Sequence, residues 1–126
     1  MSDEKFENGM RIRREVLGND YVDRAEANKT EFDADFQRFI TETAWGSVWS
    51  RAGLDRRTRS MVTVAVLAAI GQEQELALHI RASANNGVTA EELKEVLLQV
   101  AVYAGVPAAN SAYRIAKEIY SEHEDQ

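Results

Sequence analysis

Apolar residues recur at helical spacing almost throughout this chain, and no stretch alternates with a period of two. That one pattern predicts an all-α fold. Residues 10–17 read as a short helix, and Asp20 is placed to cap a second over 21–27. Thr30 followed by Asp33 resembles a capping box, with Asp in place of the usual Glu or Gln. It would open a helix striped by Phe32, Phe36, Phe39, Ile40 and Thr43 and ending near Trp45 and Gly46, with 46–54 as a loop. Asp55 reads as the cap of a helix that stops at Gly71, apolar nearly all round and so expected at the centre. A further helix over 73–86 stops at Gly87. Thr89 and Glu92 form a second capping box, opening a helix that turns Leu93, Val96, Leu97, Val100 and Ala101 inward. After Gly105, Pro107 suits the first turn of a last helix presenting Ala109, Ala112, Ile115, Ala116 and Ile119. Short connections at Gly71, Gly87 and Gly105 favour antiparallel helix hairpins.

At 126 residues the chain fits one domain, 1–126, and with one Pro and seven Gly it leaves little room for a long linker. No apolar run approaches the roughly 20 residues that cross a bilayer, which predicts no membrane partner. Residues 1–6 are polar and acidic, unlike a secretory or transit peptide, so the expected location is cytoplasmic. The chain has no Cys, which removes disulfides, thiolate nucleophiles and thiolate metal sites together. It has two His, and His123 falls in the polar tail 121–126. A net charge of −6 argues against nucleic acid, which needs a basic surface. The apolar 61–69 segment and small residues such as Ala65, Ala68, Ala69, Ala108, Ala109 and Ala112 predict close helix packing and a homo-oligomer.

Few residues are left to carry chemistry. Glu75 and His79 are four apart and share one helix face. Their neighbours Leu76, Leu78, Ile80 and Ala82 are apolar, so both side chains are expected to be at least partly buried. A buried carboxylate beside an imidazole makes a general acid/base pair, because each shifts the other's proton affinity. A structural ion pair fits the same spacing. A metal site does not: di-iron helical bundles need two Glu-x-x-His pairs, and zinc needs more His or Cys ligands than this chain has. Arg56, Arg57 and Arg59 crowd the start of the helix capped by Asp55, with Arg51 just before it. Cations there oppose the helix dipole, so the cluster either recruits an anion or pairs with acidic residues such as Glu42 or with another subunit. Trp45, Trp49 and Tyr103 suit either the walls of a water-excluding pocket or ordinary packing. Asn110 could donate a side-chain N–H to a site or to the preceding loop.

Four segments together resemble the carboxymuconolactone decarboxylase family: Trp45-Gly-Ser-Val-Trp-Ser-Arg-Ala-Gly-Leu-Asp-Arg-Arg-Thr-Arg59, Glu75-Leu-Ala-Leu-His-Ile-Arg81, Asn85-Asn-Gly-Val-Thr89 and Tyr103-Ala-Gly-Val-Pro-Ala-Ala-Asn110. Gly9-Met-Arg and Arg14-Glu-Val-Leu-Gly18 also resemble the family's dedicated lactone decarboxylases of protocatechuate breakdown. The likeness runs from about Gly9 to the last helix. It implies an all-α fold and ring-like homo-oligomers, often trimers or hexamers. The family's alkylhydroperoxidase-like branch carries two Cys just before the His, where this chain has Gln72 and Glu75, so the resemblance is to the decarboxylase branch. Ala52 and Ala104 stand where the family would lead one to expect Pro and often Cys.

The implied substrate is a small lactone dicarboxylate: a five-membered unsaturated ring with a carboxylate and an acetate arm on one carbon. Loss of carbon dioxide would send electrons through the ring double bond to the lactone carbonyl, so no cofactor is expected. The resemblance then implies His79 as proton donor or oxyanion partner and Glu75 as the group that sets its charge state or shares the proton. Arg51, Arg57, Arg59 or Arg81 would anchor carboxylate, with Arg81 pointing elsewhere on the helix than His79. Trp45, Trp49 and Tyr103 would be walls, with Asn110 nearby.

Overall fold

A computed structural model describes residues 2–124 and the side chains of residues 3–122, so His123 and the end of the tail lie outside the described side chains. The described residues are helical with no strand. They divide into two compact units, Met1–Asp55 and Arg56–Gln126.

In the first unit, α1 spans Ser2–Leu17, beginning eight residues before the expected start. Asp3 and Glu4 in its first turn complement the helix dipole, which the apolar pattern alone does not register. Helix α2 spans Asn19–Asn28, and its cap position is Gly18 at φ 93° rather than Asp20, which lies in the first turn. Val16 and Val22 are fully buried as α1 and α2 pack, and Arg13 is buried with them, 3.5 Å from Glu26.

The Thr30–Asp33 box forms only in part. Asp33 accepts from the Thr30 N–H at 2.8 Å and from its hydroxyl at 3.4 Å, but that hydroxyl accepts from the Phe32 N–H at 3.2 Å rather than from the Asp33 N–H, which donates to the Thr30 carbonyl. The result is a turn, and α3 opens later, at Ala34–Ile40. Its aromatic stripe is not core within the chain, since Phe32 is 99% exposed and Phe36 and Phe39 more than half.

The expected loop at 46–54 begins later and is irregular only over 49–54. The chain runs on from α3 into a π-helix, Thr41–Val48, with Thr41 and Trp45 buried. Hydroxyls support it by donating to backbone carbonyls: Thr41 to Gln37, Thr43 to Phe39, and Ser47 five residues back to Glu42. Gly46, which reads as a helix stop, is instead a packing glycine. A Cβ there would sit 2.8 Å from the Lys5 carbonyl oxygen, and one on Gly9 would collide with the carbonyl oxygen of Thr41. Two glycines thus bring α1 and the π-helix into backbone contact.

In the second unit, α4 spans Arg56–Ile70, α5 Glu73–Ser83, α6 Ala90–Tyr103 and α7 Val106–Glu124. A 3₁₀ turn, Ala84–Asn86, ends α5, and Gly87 follows at φ 83°, a left-handed position where a side chain would be strained. The Thr89–Glu92 capping box closes both ways, as the spacing predicts. Helix α4 packs on α5 and α6 on α7, while α7 also covers α5 and α4 contacts α6. The core joins Val64, Ala68, Leu76, Ile80, Leu93 and Leu97 with Ala112 and Ile119. Helix α4 is not enclosed within one chain: Ser60, Val64 and Ala68 are buried, but Val62, Val66 and Ile70 are exposed.

Candidate active site

Helix α5 carries the best candidate. Leu76, His79, Ile80 and Ser83 follow the i, i+3, i+4, i+7 spacing of one face and all are buried, His79 being 8% exposed. Removal from water disfavours the imidazolium, so burial lowers the His79 pKa from 6.5 to about 4. At neutral pH the ring is therefore an uncharged imidazole, able to donate from one nitrogen and accept at the other.

Glu75 departs from the expectation of shared burial. It stands in the first turn of α5, where 71–75 are exposed throughout. The apolar neighbours Leu76 and Ile80 do face the core, but that core begins one residue after Glu75. Burial is the cause of the His79 shift.

The arginines separate by partner. Arg57 pairs with Glu92, the residue that closes the capping box of α6, and its Cδ lies near Gly87. Its partner is thus a buttress of the fold, and Glu42 pairs with Arg38 instead. Arg59 is half-buried on α4. Arg81 is exposed and lies 3.7 Å from Glu122 of α7, on a face other than that of His79. Tyr103 is 81% exposed and, with Ala65, Val66, Ala69, Gln99, Val100 and Ala104, lines an open apolar groove of about 300 Å³. Asn110 is exposed on α7. Trp45, Trp49 and exposed Arg51 belong to the first unit, where the two indoles lie 5.2 Å apart and tilted by 32°.

Two buried polar features escape the sequence reading. Asn86 is 7% exposed and donates to the Ala82 carbonyl at 3.0 Å and the buried Ser60 hydroxyl at 3.3 Å. The other is Arg13. The i, i+4, i+7 spacing of His79, Ser83 and Asn86 could have flagged the first, whereas nothing in the spacing marks the second. Among the described residues, no group of three or more His, Asp or Glu side chains is arranged to hold a metal ion.

Helical through its described residues, with a deeply buried, neutral histidine on a core helix, the chain falls in a class of small helical proteins with acid/base capacity. Residues 34–118 match the carboxymuconolactone decarboxylase family, and the chain belongs to that family. It is 51% identical over 123 residues to the 4-carboxymuconolactone decarboxylase of Acinetobacter baylyi, covering 97% of this chain and 92% of the relative. It is 42% identical to the nitrosuccinic acid decarboxylase of Metarhizium robertsii, covering 96% of this chain and 85% of that protein. A 4-carboxymuconolactone decarboxylase sequence from Pseudomonas putida is 40% identical over 43 residues, 34% of this chain and 90% of that sequence.

Proposed function

We propose that this protein decarboxylates 4-carboxymuconolactone to the β-ketoadipate enol-lactone in the breakdown of protocatechuate, without a cofactor. The observation that carries this reading is the 51% identity to the Acinetobacter baylyi decarboxylase along nearly the full length of both chains. The bond from ring carbon to carboxylate breaks, carbon dioxide leaves, and the electron pair moves through the ring double bond onto the lactone carbonyl oxygen. One proton then joins the ring carbon next to that carbonyl. The substrate is its own electron sink, so the protein has only to hold the carboxylates, stabilise the oxyanion and deliver the proton.

His79 suits the last two tasks. A neutral imidazole N–H can hydrogen-bond the developing oxyanion without a resident positive charge favouring the ground-state carboxylate. Glu75, exposed in the first turn of the same helix, is assigned the return of the proton from solvent. Carboxylate anchoring falls to the arginine cluster at the start of α4, Arg57 and Arg59. The match over 34–118 crosses the boundary between the units and supports treating 1–126 as one functional domain.

A homo-oligomer, trimer or hexamer, accompanies this reading. Its support is the apolar surface of α4 and α6: Val62, Val66, Ile70, Val102 and Tyr103 are exposed around the groove, a patch of the kind that marks an interaction surface. No described helix is long and apolar enough to cross a membrane. We take the cytoplasm as its compartment.

A second reading has its own observation, the 42% identity to a nitrosuccinic acid decarboxylase. That acid is also a small dicarboxylate, and its nitro group can hold the electrons left by carbon dioxide. Carbon dioxide release from each compound by the purified protein separates the two. The lactone is expected to give the higher kcat/KM by at least tenfold; a preference for nitrosuccinate would replace the first reading with the second.

A further inference from the structure

We infer that Asn86 is a positioning residue for His79, locking the last turn of α5 to α4 and so fixing where the imidazole is held in the core. The inference rests on His79 as the working residue of the proposed decarboxylation. His79, Ser83 and Asn86 lie at i, i+4 and i+7 along α5 and its terminal 3₁₀ turn, a spacing that puts them on one face. All three are at least nine-tenths buried, and Ser60 of α4, which Asn86 meets, is completely so. The amide of Asn86 spends its two N–H groups on partners from different elements, the Ala82 carbonyl of α5 and the Ser60 hydroxyl of α4. Ser83 closes its own turn by donating to the Ile80 carbonyl at 2.6 Å. The Asn86 Oδ1 is buried with no hydrogen-bond partner.

An apolar side chain would fill the same space without stranding an acceptor away from water, so packing alone does not account for an amide here. What the amide adds is register. A slide or rotation of α5 against α4 would break the bond to Ser60 and leave a second buried polar group unsatisfied, a penalty an apolar pair does not impose. His79 lies two turns back on the same face and takes its depth in the core from that register. A catalytic ring must be held to a fraction of an ångström, and a second layer of hydrogen bonds is what holds it.

The chain has two histidines, so the ring ¹⁵N signals of His79 can be followed by NMR with His123 as reference. Asn86→Leu keeps the branched shape and the number of side-chain heavy atoms and removes both donors. It is expected to shift the His79 ring signals while those of His123 stay put, and to lower kcat on 4-carboxymuconolactone at least tenfold with KM changed less than twofold. Ser60→Ala removes a single oxygen from α4 and is expected to do the same to a smaller extent, which keeps the test open if Asn86→Leu does not fold. Unchanged His79 signals and unchanged kcat in the folded variants, whatever their melting temperature, would overturn the inference and leave the amide a structural bond. If the signals move but the wild-type protein releases no carbon dioxide from the lactone, the proposed reaction fails while the coupling stands.

Discussion

The His79 ring stays uncharged in the fold down to about pH 4, whereas in the unfolded chain it takes a proton near pH 6.5. Between those values the unfolded state binds more protons, so this residue's contribution to stability is complete above pH 6.5 and is lost as pH falls toward 4, a difference of about 3 kcal/mol. Urea unfolding across that window should therefore show a steeper loss for the wild type than for His79→Gln, which cannot titrate. Parallel curves would mean that the ring is not held in the core. Arg57 offers the opposite case, a residue whose charge is already spent on Glu92 in an exposed pair. Arg57→Leu is expected to reduce stability by less than about 1 kcal/mol and kcat/KM only a few-fold. A loss in kcat/KM equivalent to about 1.5–3 kcal/mol would instead put Arg57 on a substrate carboxylate. The spacing of Glu75 and His79 made the pair legible in the sequence, but not its asymmetry. Periodicity tells which face a residue is on, not how far the first turn of α5 stands clear of its neighbours. Asn86 was less legible still, because its meaning depends on Ser60, 26 residues away in the chain.

At the level of elements, local chemistry and long-range contact had different visibility. The Thr89–Glu92 box involves residues three apart and formed as the sequence predicts. Thr89→Ala should lower stability by about 1 kcal/mol, read as a shift in the denaturant midpoint. The Thr30–Asp33 pair has the same spacing, yet the Thr30 hydroxyl accepts from Phe32 while the Asp33 N–H turns to the Thr30 carbonyl, and a turn results. Gly46 shows the reverse failure, a residue read as a helix stop whose small size serves the approach of α1. Gly9 makes this testable. In an exposed helix Gly→Ala gains about 1 kcal/mol from propensity, but here the new methyl would strike the Thr41 carbonyl oxygen. Gly9→Ala is expected to destabilise the protein, and a raised melting temperature would contradict the close packing of α1 on the π-helix.

For the whole molecule, the helical period, the glycine stops at 71, 87 and 105 and the inward faces of α6 and α7 were readable, and the family segments with them. The apolar surface that one chain leaves uncovered was readable only in part: the apolar 61–69 segment pointed to it, but the Phe32, Phe36 and Phe39 stripe did not, because a hydrophobic stripe looks the same in sequence whether its partner is in the same chain or another. Phe32, Phe36, Phe39, Val66 and Tyr103 are exposed in the single chain. Val66→Asp should turn the proposed oligomer into smaller species in light scattering, while an unchanged mass would move the interface elsewhere. The proposed chemistry turns on decarboxylation centred on His79. Its most direct test is carbon dioxide release from 4-carboxymuconolactone by chelator-treated wild-type protein beside His79→Gln, with circular dichroism to confirm that both are folded. The wild type is expected to turn over without added metal and the variant to be slower by about 10²–10⁴, the usual worth of a positioned acid or base; equal rates in the two folded proteins, or none in the wild type, would contradict it.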